Sequence, residues 1–261
     1  MFALPALLAA GLTVAVPPPV PLPAAHAHND YEHPRPLFDA LACGFCSVEA
    51  DVWLQNGNLL VAHTPLRWKA DRTLQTLYLD PLRERVKRNG GRVHPGGPPF
   101  HLMIDVKTDA KETWAALDKV LAEYADILTV TKDGKTEGKA VTVVISGNWD
   151  REGIEKQAVR YAAIDGRPKD LDGGKPAELI PWVSQSWAVL FKWDGTGDIP
   201  ADERKKLREL VAKAHEQGRK VRFWATPDKP AVWKELLDVG CDFINTDKLD
   251  DLRAYLVKRG K

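Results

Sequence analysis

Glu49 and Asp51 stand one residue apart in the run Val48-Glu49-Ala50-Asp51-Val52-Trp53, whose other members are apolar or small. In an extended strand residues two apart share a face, so both carboxylates are expected to point the same way. Two carboxylates in a buried strand need compensation where they sit. A hard divalent cation does this, since magnesium and calcium take oxygen ligands. A second apolar run, Leu59-Leu60-Val61-Ala62, delivers His63, an imidazole able to move a proton beside such an ion.

Three further segments offer the same chemistry. In His26-Ala27-His28-Asn29-Asp30-Tyr31 the histidines alternate with alanines, so both can face one side and serve as base, acid or ligand. In Leu102-Met103-Ile104-Asp105-Val106-Lys107 a third carboxylate interrupts an apolar run. Lys107 shares the face of Asp105, where a cation beside a carboxylate cluster suits an anionic substrate. Trp224 ends a strand-like run and could wall a pocket, with Trp53 and Trp68 as weaker candidates for the same task. His94, His101 and His215 lie in a Gly/Pro loop, at a strand start and in a charged helix, and read as structural or solvent-exposed.

These residues need a scaffold that gathers strand ends. Strand-like runs are expected at 22–28, 47–53, 100–106, 141–147, 161–164, 180–184, 221–225 and 243–245, with helical stretches at 111–125, 202–217, 230–239 and 249–259. Several strands are almost wholly apolar, as strands of a parallel sheet covered on both faces are. Strands alternating with helices give right-handed βαβ units. Eight of them in 261 residues predict an α/β fold, a closed (β/α)₈ TIM barrel whose site lies at the carboxyl ends of the strands. Glu49, Asp51, Asp105, His26 and His28 all fall near such ends, as do Ser146, Asp165, Ser184 and Asp247. An open doubly wound sheet is the rival and gathers them less economically.

A formal charge of +1, with basic and acidic residues interspersed, gives no footing for nucleic-acid binding. Residues 1–16 carry no charge and read as the apolar core of a signal peptide, although no Lys or Arg precedes it. Pro17–Pro23 reads as a stiff spacer, so residues 1–23 are expected to be leader and spacer, 24–261 a single domain, and the protein exported. Of three cysteines, Cys43 and Cys46 have redox-motif spacing but no thioredoxin context, and structural thiols are expected.

Taken together, Glu49-x-Asp51, His63 and a first-strand histidine resemble the phospholipase C-like phosphodiesterase superfamily, which includes glycerophosphodiester phosphodiesterases. His28-Asn29-Asp30-Tyr31 resembles the His-Asn-Thr-Tyr of phosphoinositide phospholipases, and Asp105-Val106-Lys107-Thr108 is similar to the Asp-Leu-Lys-Thr of sphingomyelinase D-type enzymes. An uncharacterised branch with His-x-His-Asn-Asp-Tyr, Leu-Tyr-Leu-Asp-Pro-Leu (77–82 here) and Ile-Asn-Thr-Asp (244–247) gives the closest likeness across the chain, from about His26 to Leu256. The resemblance implies Mg²⁺- or Ca²⁺-assisted cleavage of a small-molecule or lipid phosphodiester. It makes Glu49, Asp51 and Asp105 metal ligands, with Asn29 as a fourth, and His63 one of two acid–base histidines. Matching His-Asn-Thr-Tyr makes His28 the other; matching His-x-x-Asn makes it His26; His28 is preferred. The His-Arg-Gly of glycerophosphodiesterases and any lipid-binding accessory domain are absent from the sequence. A monomer is expected, with peripheral membrane contact compatible with a lipid substrate. Two rival readings are a zinc amidohydrolase-type barrel, which needs histidines at later strand ends, and a non-catalytic barrel that binds a phosphorylated ligand.

Overall fold

The structure, a computed structural model, describes residues 18–260. Eight parallel strands form the barrel: β1 (Leu22–Ala27), β2 (Phe45–Gln55), β3 (Phe100–Val106), β4 (Val141–Gly147), β5 (Ala162–Gly166), β6 (Trp182–Ser186), β7 (Lys220–Trp224) and β8 (Phe243–Thr246). Their neighbour order runs β1-β8-β7-β6-β5-β4-β3-β2, and pairing of β1 with β2 closes the ring. The expected leader, residues 1–16, lies outside the described residues. The expected spacer overlaps β1: Leu22 is buried and its amide donates to Gly44 O at 2.7 Å, so the barrel begins before Pro23 ends. Pro23 fits there because a strand's first residues tolerate a missing donor.

Helices follow most strands. The amphipathic helix α1 (Ala110–Ala122) is started by Asp109, whose side chain accepts from Glu112 N at 2.9 Å, and it buries Trp114, Leu117 and Leu121 against the barrel. Helix α2 (Ala201–Glu216) buries Leu207, Val211 and Ala214, and Gly218 in the left-handed region (φ 71°) ends its turn. Helices α3 (Pro230–Asp238) and α4 (Leu249–Arg259) complete the expected set. Among the described residues no helix is long and apolar enough to cross a membrane.

Alternation along β2 sets the layers. Val48, Ala50 and Val52 belong to the main core beneath the helices, while Ser47, Glu49 and Asp51 take the other face, into the barrel. Inside the barrel Met103, Val144, Trp182 and Phe243 form a separate apolar plug. The polar side chains lie above it, toward the carboxyl ends. Two hairpins were not among the expected elements. Asn56 and Gly57, both left-handed (φ 49° and 78°), turn β2 back into an antiparallel strand, Asn58–Val61. At the amino end, strands Val130–Lys132, Lys135–Glu137 and Val159–Arg160 make a small antiparallel sheet around the Asp133-Gly134 turn.

Candidate active site

One cavity of about 510 Å³ opens at the carboxyl ends of the strands, with His28, Glu49, Asp51, His63, Asp105 and Lys107 in its wall. Glu49 and Asp51 come from β2 and Asp105 from β3, in a register that pairs Asp51 with Asp105. One oxygen from each of these three carboxylates lies within 4.8 Å of the others. Lys107 reaches over them, its Nζ 3.0 Å from Asp105 Oδ1 and 3.3 Å from Asp51 Oδ2.

The three acids are not alike electrically. Burial would raise the Glu49 carboxyl, but the Arg222 guanidinium and the His26 contact outweigh it and hold Glu49 below the ordinary carboxylate range. Burial pushes Asp51 up to about 6, with the Glu49 and Asp105 charges adding to it against Lys107. Asp105 is raised by burial in the same way, and by Glu49. Burial alone would lower Lys107, yet Asp105 and Asp51 draw it upward. Asp51 Oδ2 is buried and makes no well-aligned hydrogen bond, its nearest cation being Lys107 at 3.3 Å. Two carboxylates that resist ionisation beside a single shared lysine mark a place short of positive charge. A hard cation with oxygen ligands fits it, and the set holds no cysteine or histidine.

The expected histidines separate. His28 Nδ1 is 2.8 Å from Asp247 Oδ1, which leaves Nε2 for the cavity. Burial works to lower its pKa, but the Asp247 bond and the Glu49 charge outweigh burial and raise it. His63 is brought back over Asp51 by the Asn56-Gly57 hairpin, with Nδ1 3.1 Å from Tyr31 Oη and 3.5 Å from Asp51 Oδ2. Its side chain is 56% exposed, at the rim of the cavity. His26 differs from the expectation. It is fully buried beneath the cavity, Nδ1 on Ser47 Oγ at 2.7 Å and Nε2 on Arg222 at 2.8 Å, and burial followed by Arg222 pushes it down to about 4. With both nitrogens engaged and no open surface, it supports Glu49 from below rather than meeting a substrate. The β1 strand ends at Ala27, so the backbone turns between the two histidines and only His28 reaches the mouth.

Asn29 adopts a left-handed conformation (φ 47°) and lines the cavity, its Oδ1 accepting from Tyr31 Oη at 2.7 Å. Trp224, 37% exposed, forms part of the wall. Two arginines in this cavity were missed from sequence. Arg222 is 3% exposed and places one terminal nitrogen 3.1 Å from Glu49 and 3.1 Å from Asn245, while its Nε has no partner. Its signal was available, because Arg222 lies two residues before Trp224 on one strand face. Arg167 follows β5, bonds Asp165 at 3.0 Å and stacks over Trp149, and no pattern in the sequence marked it. Cys43, Cys46 and Cys241 are free buried thiols. His94 Nε2 donates to Phe45 O (2.8 Å), and His215 pairs with Asp242 (2.9 Å), both away from the site.

Comparison with known proteins bears on this arrangement. Residues 18–95 match the AIM6-like phosphodiesterase domain, and residues 220–250 match the glycerophosphoryl diester phosphodiesterase family. The chain is 30% identical over 260 residues to the altered inheritance of mitochondria protein 6 homolog of Arthroderma benhamiae, covering 88% of this chain and 82% of that one. It is 32% identical over 266 residues to altered inheritance of mitochondria protein 6 of Eremothecium gossypii, covering 88% and 68%. Among solved structures, a glycerophosphodiester phosphodiesterase from Parabacteroides distasonis aligns with a TM-score of 0.54 at 16% identity, over 91% of this chain and 98% of that one. One from Agrobacterium tumefaciens aligns at 0.53 and 16%, over 92% and 100%. At such identity these structures speak for the fold, which is the closed barrel expected from sequence. The curated relatives are named for the inheritance of mitochondria, an organelle inside the cell, and this overturns the expectation of an exported protein. By identity and coverage, then, the chain belongs to the altered inheritance of mitochondria protein 6 family, built on the barrel of the phospholipase C-like phosphodiesterases.

Proposed function

We propose that the protein is a metal-dependent phosphoric diester hydrolase acting on a glycerophosphodiester or phospholipid-type substrate by two-histidine acid–base catalysis. The observation that carries this reading is the convergence of Glu49, Asp51 and Asp105 within 4.8 Å in a cavity that also holds His28 and His63. Mg²⁺ or Ca²⁺, held by those carboxylates with Asn29 as a further oxygen donor, would supply charge neutralisation at the phosphoryl oxygens.

A phosphodiester carries negative charge that repels a nucleophile, and its departing alkoxide needs a proton. Of the two imidazoles, one takes the proton of the attacking hydroxyl and the other protonates the leaving oxygen, each contributing on the order of 10²–10⁴ in rate. Asp247 holds the His28 ring by Nδ1 and turns Nε2 to the cavity; Tyr31 does the same for His63. Lys107 binds a non-bridging oxygen. Arg222, buried below, keeps Glu49 ionised and oriented. Trp224 offers an apolar wall to the alcohol part of the substrate.

The deciding experiment is turnover of bis-(p-nitrophenyl) phosphate, then of a panel of glycerol and lipid phosphodiesters, with and without chelator. Diester cleavage lost on chelation and restored by Mg²⁺ or Ca²⁺ is the expected result. No turnover of any diester with either ion would overturn the reading in favour of a non-catalytic ligand-binding barrel.

A further inference from the structure

The end of the barrel away from the acids is not packed shut. A cavity of about 230 Å³ lies there, at the amino ends of β3, β4, β5 and β6, floored by the small antiparallel sheet. A single water needs only about 10–15 Å³ of such space. The plug of Met103, Val144, Trp182 and Phe243 stands between this cavity and the mouth, so it is not an extension of the catalytic cleft. In barrels of this kind the amino end ordinarily serves stability and is filled by side chains.

The lining is rich in donors, and its one acid, Glu178, is exposed and makes no salt bridge to Arg160 among the described residues. Arg160, from the strand Val159–Arg160, is 8% exposed. The one hydrogen bond of its side chain among the described residues runs to Glu178 O at 3.2 Å, and its Nε is buried with no partner. Burying a charged donor unpaired is costly, which makes an absent acceptor the economical explanation. Around it stand two threonine pairs, Thr129 with Thr142 (3.0 Å) and Thr131 with Thr136 (2.8 Å). Each pair uses one hydroxyl hydrogen internally and keeps the other free to donate. No salt bridge joins Arg160 to a carboxylate among the described residues, so its charge is left for an incoming group.

We propose that this amino-end cavity is a second ligand site that takes a small oxyanion, a phosphate or carboxylate group, on Arg160 and the threonine hydroxyls. The guanidinium supplies charge and a directed N–H, and the hydroxyls supply donors from the strand ends. The site is independent of the diesterase reading, since no residue is shared between the two cavities.

Inorganic phosphate, and separately acetate, is titrated calorimetrically into the chelator-treated full chain and into its Arg160→Gln and Lys107→Met variants, the latter removing the cleft's own anion contact. Saturable binding by wild type and by Lys107→Met, weakened roughly ten- to a hundredfold in Arg160→Gln, is the expected result. Preference for phosphate or for acetate identifies which oxyanion the site takes. Thr142→Val, which removes one hydroxyl at constant shape, serves if Arg160→Gln fails to fold, and should weaken binding by roughly fivefold. Equal affinity in wild type and the amino-end variants, or no saturable heat with either anion, would overturn the proposal and leave water as the occupant.

Discussion

Asp51 and Asp105 are register partners on adjacent parallel strands, β2 and β3, and Lys107 Nζ bridges their carboxylates. Parallel pairing thus holds two like charges side by side at the rim of the barrel, where only a cation relieves them. Asp51→Asn should therefore weaken Mg²⁺ or Ca²⁺ binding by at least about tenfold and lower diester turnover with it, since even residues behind a metal's ligands matter by ~10–100-fold. Calorimetric cation affinity equal to wild type would remove Asp51 from the ligand set.

His63→Ala should leave the fold intact, because the side chain is more than half exposed and its core neighbour Tyr31 keeps its own bond to Asn29 Oδ1. Turnover should fall by about 10²–10⁴, the range for losing one acid–base group. His28→Ala should fall by as much. Activity near wild type in either variant, with an unchanged melting curve, would exclude that histidine from the chemistry.

Asp247→Asn addresses the pH profile. The carboxylate stabilises the His28 imidazolium, so its removal lowers the His28 pKa. The limb of the activity profile that reports His28 should move to lower pH, and a limb that stays in place would detach Asp247 from this role. Asp247 is 60% exposed, so added salt should shrink the displacement.

Asp30 provides a stability test outside the reacting groups. It is fully buried, accepting from Leu37 N (2.6 Å) and Tyr78 Oη (2.8 Å), and burial raises its pKa from 3.8 to about 7. The folded chain therefore keeps a proton that the unfolded chain releases above about 3.8. Stability should decline as pH rises from about 4 to about 7, by up to about 1.4 kcal/mol per pH unit. Asp30→Asn should flatten that decline in denaturant melts; an unchanged slope would place the proton elsewhere.

Gly147, at the end of β4, is left-handed (φ 74°), and a Cβ there would run into the Asp105 carboxylate and the Val106 carbonyl. Gly147→Ala should both destabilise the chain, by about 1 kcal/mol or more, and weaken cation binding by displacing Asp105. A variant that binds the cation like wild type would show that Asp105 can shift without loss.

The barrel was legible because its strands read as short apolar runs spaced by helices. The acids were legible because period-two spacing puts Glu49 and Asp51 on one face. The fifth and sixth strands were expected at 161–164 and 180–184 but run at Ala162–Gly166 and Trp182–Ser186. Past the expected ends come Asp165 and Ser186, polar residues that face the barrel interior and hide each strand's continuation from an apolar reading. Arg222 escaped because its partners Glu49, His26 and Asn245 come from other strands, and only closure of the ring brings them together. The separation of His26 from His28 depends on β1 ending at Ala27, which alternating spacing alone does not specify.

The hairpin that carries His63 pairs with the barrel through β2 alone, and its other edge is bridged by the Arg72–Thr73 segment. The staves bearing Glu49, Asp51 and Asp105 are locked into a closed hoop, with His28 directly after β1, whereas the arm bearing His63 packs on the core from outside that hoop. Changes of length or composition around Asn56 and Gly57 therefore retune the reach of one imidazole while the anchoring cup keeps its shape.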